Sequence, residues 1–232
     1  MSDSATAEAL RLLFSGDAAL WEIIGVSLSV SGGALLIAAP LAFVLALILS
    51  EHYFFGRRAL VVILQGMLSF PTVAVGLVLY MLLSRQGALG VWEILFTPQA
   101  MALGQAIIAF PVLAMFALSA LQKNDSRLRE TALTFGAGRW QTARLAFREA
   151  RFGLAAALLA GFGRVISEVG CALMVGGNIA HYTRNITSAI VLETGKGMFA
   201  EGIALGMVLV ALALVAGVLL AAVQGDGRQT AC

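Results

Sequence analysis

Long apolar stretches dominate the chain, and their pattern is the first guide to its fold. A helix needs about 20 largely apolar residues to cross the hydrocarbon core of a bilayer. The stretches are continuously apolar, without strict alternation of polar and apolar positions, which favours membrane-spanning helices over the strands of a barrel. We therefore predict an all-α integral membrane fold with five transmembrane helices, at residues 21–50, 59–84, 100–121, 153–177 and 202–223.

The composition agrees with this pattern. Of the 232 residues, 60% are hydrophobic and 12% are charged, and the mean hydropathy is +0.92, whereas soluble domains carry about 25% charged residues. Because no long polar segment separates the runs, we expect a single transmembrane domain over residues 1–232. Cys171 and Cys232 are too few for a disulfide framework, and we expect neither a metal site nor a nucleic-acid partner.

The distribution of lysine and arginine predicts which loops are cytoplasmic, because the cytoplasmic loops of membrane proteins carry an excess of these residues. Segments 51–58, 122–152 and 224–232 hold ten of them, whereas segments 1–20, 85–99 and 178–201 hold four. We therefore assign the first set to the cytoplasm. With five spans, the N-terminus is then outside and the C-terminus is cytoplasmic.

The fourth apolar run contains two charged residues in its interior, Arg164 and Glu168. They are four residues apart and so share one face of a helix. An ionisable residue within a membrane is costly and usually faces protein or water. Two interpretations stay open: an ion pair that fixes the packing of the span, or an arginine that touches a passing anion. A carboxylate beside the arginine would weaken an anion site, which favours the ion pair.

Two further polar positions are candidates for lining a pathway or for packing the spans. Ser69 precedes Pro71 in the second run, where a kink would free backbone groups that must face protein or a cavity. Asn178 opens the long outer segment 178–201, whose polar residues predict a short folded element near the outer mouth. That element would either dock an external protein or serve as a solvated connector.

The basic loop 122–152 is the most informative part of the sequence. Residues 124–126 can cap a helix start, Gly136 and Gly138 interrupt that helix, and a second helical stretch is predicted from Trp140. A helix–glycine turn–helix of this kind would present a compact knob to a partner. An ordinary positive-inside loop is the open alternative.

Five residues of this loop form a motif: Glu130, Ala132, Gly136, Ala137 and Trp140. The motif resembles the EAA loop of ABC importer permeases. The resemblance implies the type I importer fold and a coupling helix that docks in a groove of a cytoplasmic ATPase. The sequence departs from the family where prolines are frequent, because Arg148 and Phe152 occupy those positions. We therefore expect the second helix of the loop to continue unbroken into the fourth span.

Residues 161–179 resemble the oxyanion branch of these permeases, which carries sulfate, molybdate or tungstate. The Met-Val-Gly-Gly-Asn run at 174–178 and the Leu-Glu-Thr-Gly-Lys-Gly run at 192–197 are closest to tungstate permeases. The resemblance implies an importer of the prokaryotic inner membrane with two copies of this chain, a cytoplasmic ATPase dimer that binds ATP and magnesium, and an external oxyanion-binding protein. It implies no cofactor in this chain itself.

Two other classes of protein are alternatives. A membrane-embedded lipid-modifying enzyme needs clustered acids or histidines to hold a metal and activate a nucleophile, whereas the cytoplasmic acids of this chain are scattered. A secondary transporter predicts inverted repeats, which five spans and one knob do not supply. The sequence contains no Gly-x-x-x-x-Gly-Lys-Ser/Thr motif, so we expect ATP hydrolysis in a partner and assign no catalytic residue.

Overall fold

The computed structural model describes residue 11, residues 17–123, residue 134 and residues 136–229. Within these ranges the protein is helical and has no strand, which confirms the predicted all-α fold. A short 3-10 helix lies at Gly90–Trp92. The α-helices are α1 (Ala18–Glu51), α2 (Arg57–Leu68), α3 (Thr72–Leu83), α4 (Pro98–Gln122), α5 (Arg139–Glu149), α6 (Arg151–Ile166), α7 (Gly170–Gly176), α8 (Ile186–Gly195) and α9 (Phe199–Gln229).

The candidate membrane spans are of two kinds. Helices α1, α4 and α9 are each long and apolar enough to cross a bilayer. Helices α2 and α3 meet the same criterion only as a pair, and so do α6 and α7; these pairs bend by 100° and 64° at short breaks. Counting each bent pair as one span gives five.

Pro71 causes the first break. Proline has no N–H to continue the hydrogen-bond ladder, and it disfavours the helical conformation at the preceding residue. The N–H groups of Ser69 and Phe70 bond back to the carbonyls of Gly66 and Met67, which ends α2. The kink expected near Pro71 is thus a 100° change of direction between α2 and α3.

The core forms where α1 packs on α4. Helix α1 presents alanines at four-residue spacing, and they meet small buried residues of α4 such as Ala106 and Ala109. Small residues allow membrane helices to approach closely. Ser31 donates a hydrogen bond of 3.3 Å to Gln105 between the same two helices. The buried alanines of α1 are Ala34, Ala38, Ala42 and Ala46.

Described residues from the two sets of loop segments lie near opposite ends of α1. Arg57 and Gln122 line one cleft beyond the C-terminal end of α1. Glu22 and His181 lie at the other end, with the carboxylate 2.6 Å from the imidazole. Since α1 has 34 residues and rises about 1.5 Å per residue, the two sets are separated by the thickness of a membrane. Which end faces the cytoplasm stays a prediction from the charges.

The expectation of an unbroken helix between the loop and the fourth run is wrong. Helix α5 ends at Glu149, α6 begins at Arg151, and Ala150 lies between them with φ −78° and ψ 3°. Ala150 is buried, and its N–H bonds to the carbonyl of Ala146 while its own carbonyl accepts from Leu154. Both bonds keep the four-residue spacing of an α-helix, so the interruption is confined to one residue and forms without a proline.

The short folded element predicted in segment 178–201 is present as α8. Asn185 caps this helix, because its Oδ1 accepts a hydrogen bond of 2.9 Å from the Ser188 N–H. Ser27 of α1 accepts a hydrogen bond of 2.7 Å from the Ile186 N–H. The start of α8 is therefore tied to the first helix.

We expect cysteine labelling to reveal the predicted orientation. In a Cys232→Ser background, a cysteine at exposed Ala180 should react with a membrane-impermeant maleimide in intact cells, whereas one at exposed Gln122 should react only after the membrane is opened. Cys171 is buried and should stay unlabelled. The opposite labelling order would contradict the assignment of both termini.

Candidate functional site at the broken helices

The two helix breaks lie against each other, and we call residues 69–73 and 164–171 the junction. A methyl group added to Gly170 would lie 3.4 Å from Thr72 Oγ1 and closer still to Val73. A methyl group added to Gly76 would lie 2.8 Å from the Cα atom of Cys171. Helices α3 and α7 therefore approach so closely that a side chain at either glycine would displace its neighbours.

The ion pair expected in the fourth run is present. Arg164 Nη1 lies 2.9 Å from Glu168 Oε2, and the side chains are 33% and 3% exposed. A buried carboxylate is tolerated only when it is paired and hydrogen-bonded. The ion pair supplies the counter-charge, and the remaining carboxylate oxygen also has a partner.

Glu168 connects three helices at the second break. Its Oε1 accepts a hydrogen bond of 3.1 Å from the N–H of Cys171 in the first turn of α7. Its backbone carbonyl accepts a hydrogen bond of 2.8 Å from Thr187 Oγ1 on α8. With the ion pair to Arg164 on α6, these bonds give partners to groups that a broken helix would otherwise leave unsatisfied in hydrocarbon.

A cavity of about 480 Å³ opens beside the junction, between α2, α3 and α4. Among the described residues, Arg164 is the only charged one that lines it, and most of the others are aliphatic or aromatic. A guanidinium carries five N–H donors. Glu168 accepts from one of them, which leaves donors available to a ligand in the cavity.

Neither Ser69 nor Asn178 is among the residues that line this cavity, although Leu68 and Phe70, the neighbours of Ser69, are. Ser69 is the residue at which α2 ends. Asn178 follows α7 with φ +50°, and its Oδ1 accepts hydrogen bonds of 3.3 Å from Arg184 Nε and 3.1 Å from Ser188 Oγ. Asn178 therefore holds the turn between α7 and α8, and the structure does not bring it together with Arg164.

Two threonines of the outer segment, Thr183 and Thr187, make hydrogen bonds that the sequence does not indicate. Thr183 is buried and accepts a hydrogen bond of 2.9 Å from the Ile179 N–H, while Thr187 reaches the Glu168 carbonyl. The Asn185-x-x-Ser188 spacing is an N-cap signal that could have identified the start of α8. The role of Thr187 has no such local signal, because its partner is 19 residues away.

The motif residues of loop 122–152 are described in part. Glu130 and Ala132 lie outside the described residues. Gly136 has φ +81°, a conformation that glycine adopts without strain, and Ala137 is half-buried. Trp140, in the first turn of α5, is 82% exposed. A large exposed aromatic side chain is typical of a surface that a protein partner covers.

The apolar spans, the broken helices and the cavity are those of a polytopic helical membrane protein. Residues 38–225 match the family model described as "Binding-protein-dependent transport system inner membrane component". The chain belongs to this family, and it is a non-catalytic permease subunit of the inner membrane.

Known proteins support the same family. The chain is 44% identical to a probable anion ABC transporter permease protein of Haloferax volcanii, over 84% of this chain and 86% of that protein. It is 39% identical to a tungstate uptake system permease protein of Campylobacter jejuni, over 89% of this chain and 86% of that protein. In fold it is similar to a chain of a bacterial ABC transporter involved in the import of alginate, with a TM-score of 0.71 and 21% identity over 97% of this chain and 84% of that chain.

We expect Glu168→Ala to lower the free energy of unfolding by about 3–5 kcal/mol, because it leaves Arg164 without a counter-charge and the Cys171 N–H without its acceptor. The double variant Arg164→Met/Glu168→Gln removes both charges and keeps an acceptor, so we expect a loss of at most about 1 kcal/mol. Denaturant titration in mixed micelles compares the two. Equal losses in the two variants would contradict the assignment of the Glu168→Ala loss to an arginine without its counter-charge.

Proposed function

We propose that this chain is the permease subunit of an ATP-driven importer that carries a tetrahedral oxyanion across the inner membrane, with tungstate as its cargo. Membership of the transport family and similarity to an anion permease and a tungstate permease support this proposal. The observation that carries the assignment of an anionic cargo is the position of Arg164, a cation in the wall of a cavity whose other described lining residues are uncharged.

The chemistry of Arg164 suits an oxyanion in transit. The planar N–H donors of a guanidinium match pairs of anion oxygens. Glu168 orients the guanidinium through one of its nitrogen atoms, and it also lowers the net charge of the site to zero. A neutral pair would bind an anion weakly. Weak binding is what a pathway requires, because the anion must leave as readily as it enters.

Three partners complete the proposed importer: a second copy of this chain, a cytoplasmic ATPase dimer and an external oxyanion-binding protein. The pathway would lie between the two permease chains. The ATPase would supply the energy, since this chain has no nucleotide-binding motif of its own. The binding protein would deliver the cargo at the end that carries Glu22 and His181.

Coupling to the ATPase would run from α5 to the junction. The tight turn at Ala150 joins α5 to α6, and α6 carries Arg164. A movement of the docked loop would therefore shift α6 and change its angle to α7 at the existing 64° bend. The docking surface would comprise Glu130, Ala132, Gly136, Ala137 and Trp140.

We expect tungstate to stimulate ATP hydrolysis by the complex reconstituted in lipid vesicles with its ATPase and binding protein. Molybdate and sulfate, added separately at the same concentration, should stimulate it less, because the oxyanion-specific delivery step precedes hydrolysis. Equal stimulation by the three anions would overturn the assignment of tungstate. Failure of any ATP-binding subunit to co-purify with the chain would overturn the importer itself.

We expect Arg164→Met to reduce tungstate uptake by about tenfold or more, because a hydrogen bond to a charged group contributes about 1.5–3 kcal/mol. Arg164→Lys keeps the charge and should retain intermediate uptake, since an ammonium offers fewer oriented donors. Co-purification of the ATPase with both variants is the control for assembly. Unchanged uptake in a fully assembled Arg164→Met complex would assign Arg164 to packing alone.

A further inference from the structure

A second polar recess lies far from the junction, at the end of α1 that the charge count places in the cytoplasm. It is a cleft of about 300 Å³ between α2 and α4, which we call the basic cleft. Successive turns of α2 contribute Arg57 and Arg58, then Val61, then Gln65, and the last turns of α4 contribute Ser119 and Gln122. The lining of the cleft is thus partly cationic, partly polar and partly apolar.

The two arginines of the basic cleft, Arg57 and Arg58, form no ion pair within the described part of the chain. Arg57 is held in place, because its Nε donates a hydrogen bond of 2.7 Å to the Leu49 carbonyl and its guanidinium lies 4.9 Å from the centre of the Tyr53 ring. The Nη groups of Arg57 and the exposed side chain of Arg58 remain available. Such a site attracts an anion.

The surroundings of the cleft are those of a membrane interface. Tyr53, Phe54 and Phe55 are exposed next to it, and aromatic residues are enriched at the level of the lipid headgroups. On α2, one turn beyond the arginines, Val61 lines the cleft and Val62 is 57% exposed. A ligand that fills this site therefore has an anionic part for the arginines and an apolar part for the face of α2.

We infer that the basic cleft binds the phosphate group of an anionic phospholipid of the cytoplasmic leaflet, with an acyl chain along Val61 and Val62. Basic pockets between membrane helices on the cytoplasmic side are suited to such headgroups. A free oxyanion would use the arginines and leave the apolar face uncovered. The bound lipid would contact both α2 and α4, and would therefore stabilise the position of α2 before the 100° bend. This site does not depend on the identity of the cargo.

Native mass spectrometry of the full-length chain in detergent, titrated with dioleoylphosphatidylglycerol, tests the site. We expect Arg58→Gln to weaken retention of this lipid about fivefold, because one cationic residue near an anionic surface contributes about 1 kcal/mol. Gln65→Glu should weaken it and Gln65→Lys should strengthen it, since only the charge at one exposed wall position changes. The matched control is Arg151→Gln, which removes an exposed arginine outside the cleft and should leave retention unchanged.

Three results would overturn the inference. Equal retention of zwitterionic dioleoylphosphatidylcholine, unaffected by the Gln65 variants, would show that the cleft has no preference for anionic lipid. Displacement of the lipid by equimolar inorganic phosphate or tungstate would identify a free-anion site. An equal loss in Arg151→Gln and Arg58→Gln would show that the arginines act through overall charge. Because the Gln65 variants leave both arginines and their hydrogen bonds intact, loss of the fold does not account for opposite effects of Glu and Lys.

Discussion

Inside a bilayer, every backbone N–H and carbonyl must find a partner within the protein, and the structure around the junction depends on this constraint. Two of the five apolar runs are broken, and each break interrupts the regular ladder of hydrogen bonds. At the second break, Glu168 supplies hydrogen-bond partners that the interrupted helix lacks. One carboxylate oxygen accepts from the Cys171 N–H, the other pairs with Arg164, and the backbone carbonyl accepts from Thr187. A broken helix can therefore persist where water is absent.

Hydrogen bonds join the second break to α8, whereas the cavity lies between α2, α3 and α4. Glu168 and Thr187 fasten the second break to α8, and the bond between Ser27 and the Ile186 N–H fastens α8 to α1. On the opposite side, Arg164 borders a cavity with few polar partners.

Several features of this arrangement could be predicted from the sequence, since they depend on local properties. Length and apolar composition predicted the apolar runs, which the structure contains as three long helices and two bent pairs, and the four-residue spacing of Arg164 and Glu168 favoured their ion pair. Pro71 predicted a kink without its size, because the 100° angle depends on the contacts of α3 with α7. The unbroken helix predicted from Arg148 and Phe152 was wrong: the absence of proline permits a continuous helix, but it does not prevent a turn at buried Ala150.

The sequence by itself predicted an all-helical membrane protein, because hydropathy and composition are properties of the chain alone, and the resemblance of residues 130–140 to the EAA loop indicated a permease. Only the tertiary structure decided that Arg164 borders a cavity, that Asn178 holds a turn apart from it, and that Thr187 completes the bonding of Glu168. The physical reason is that each of these facts joins residues on different helices. Their meeting follows from close packing at Gly76 and Gly170, which no local pattern encodes.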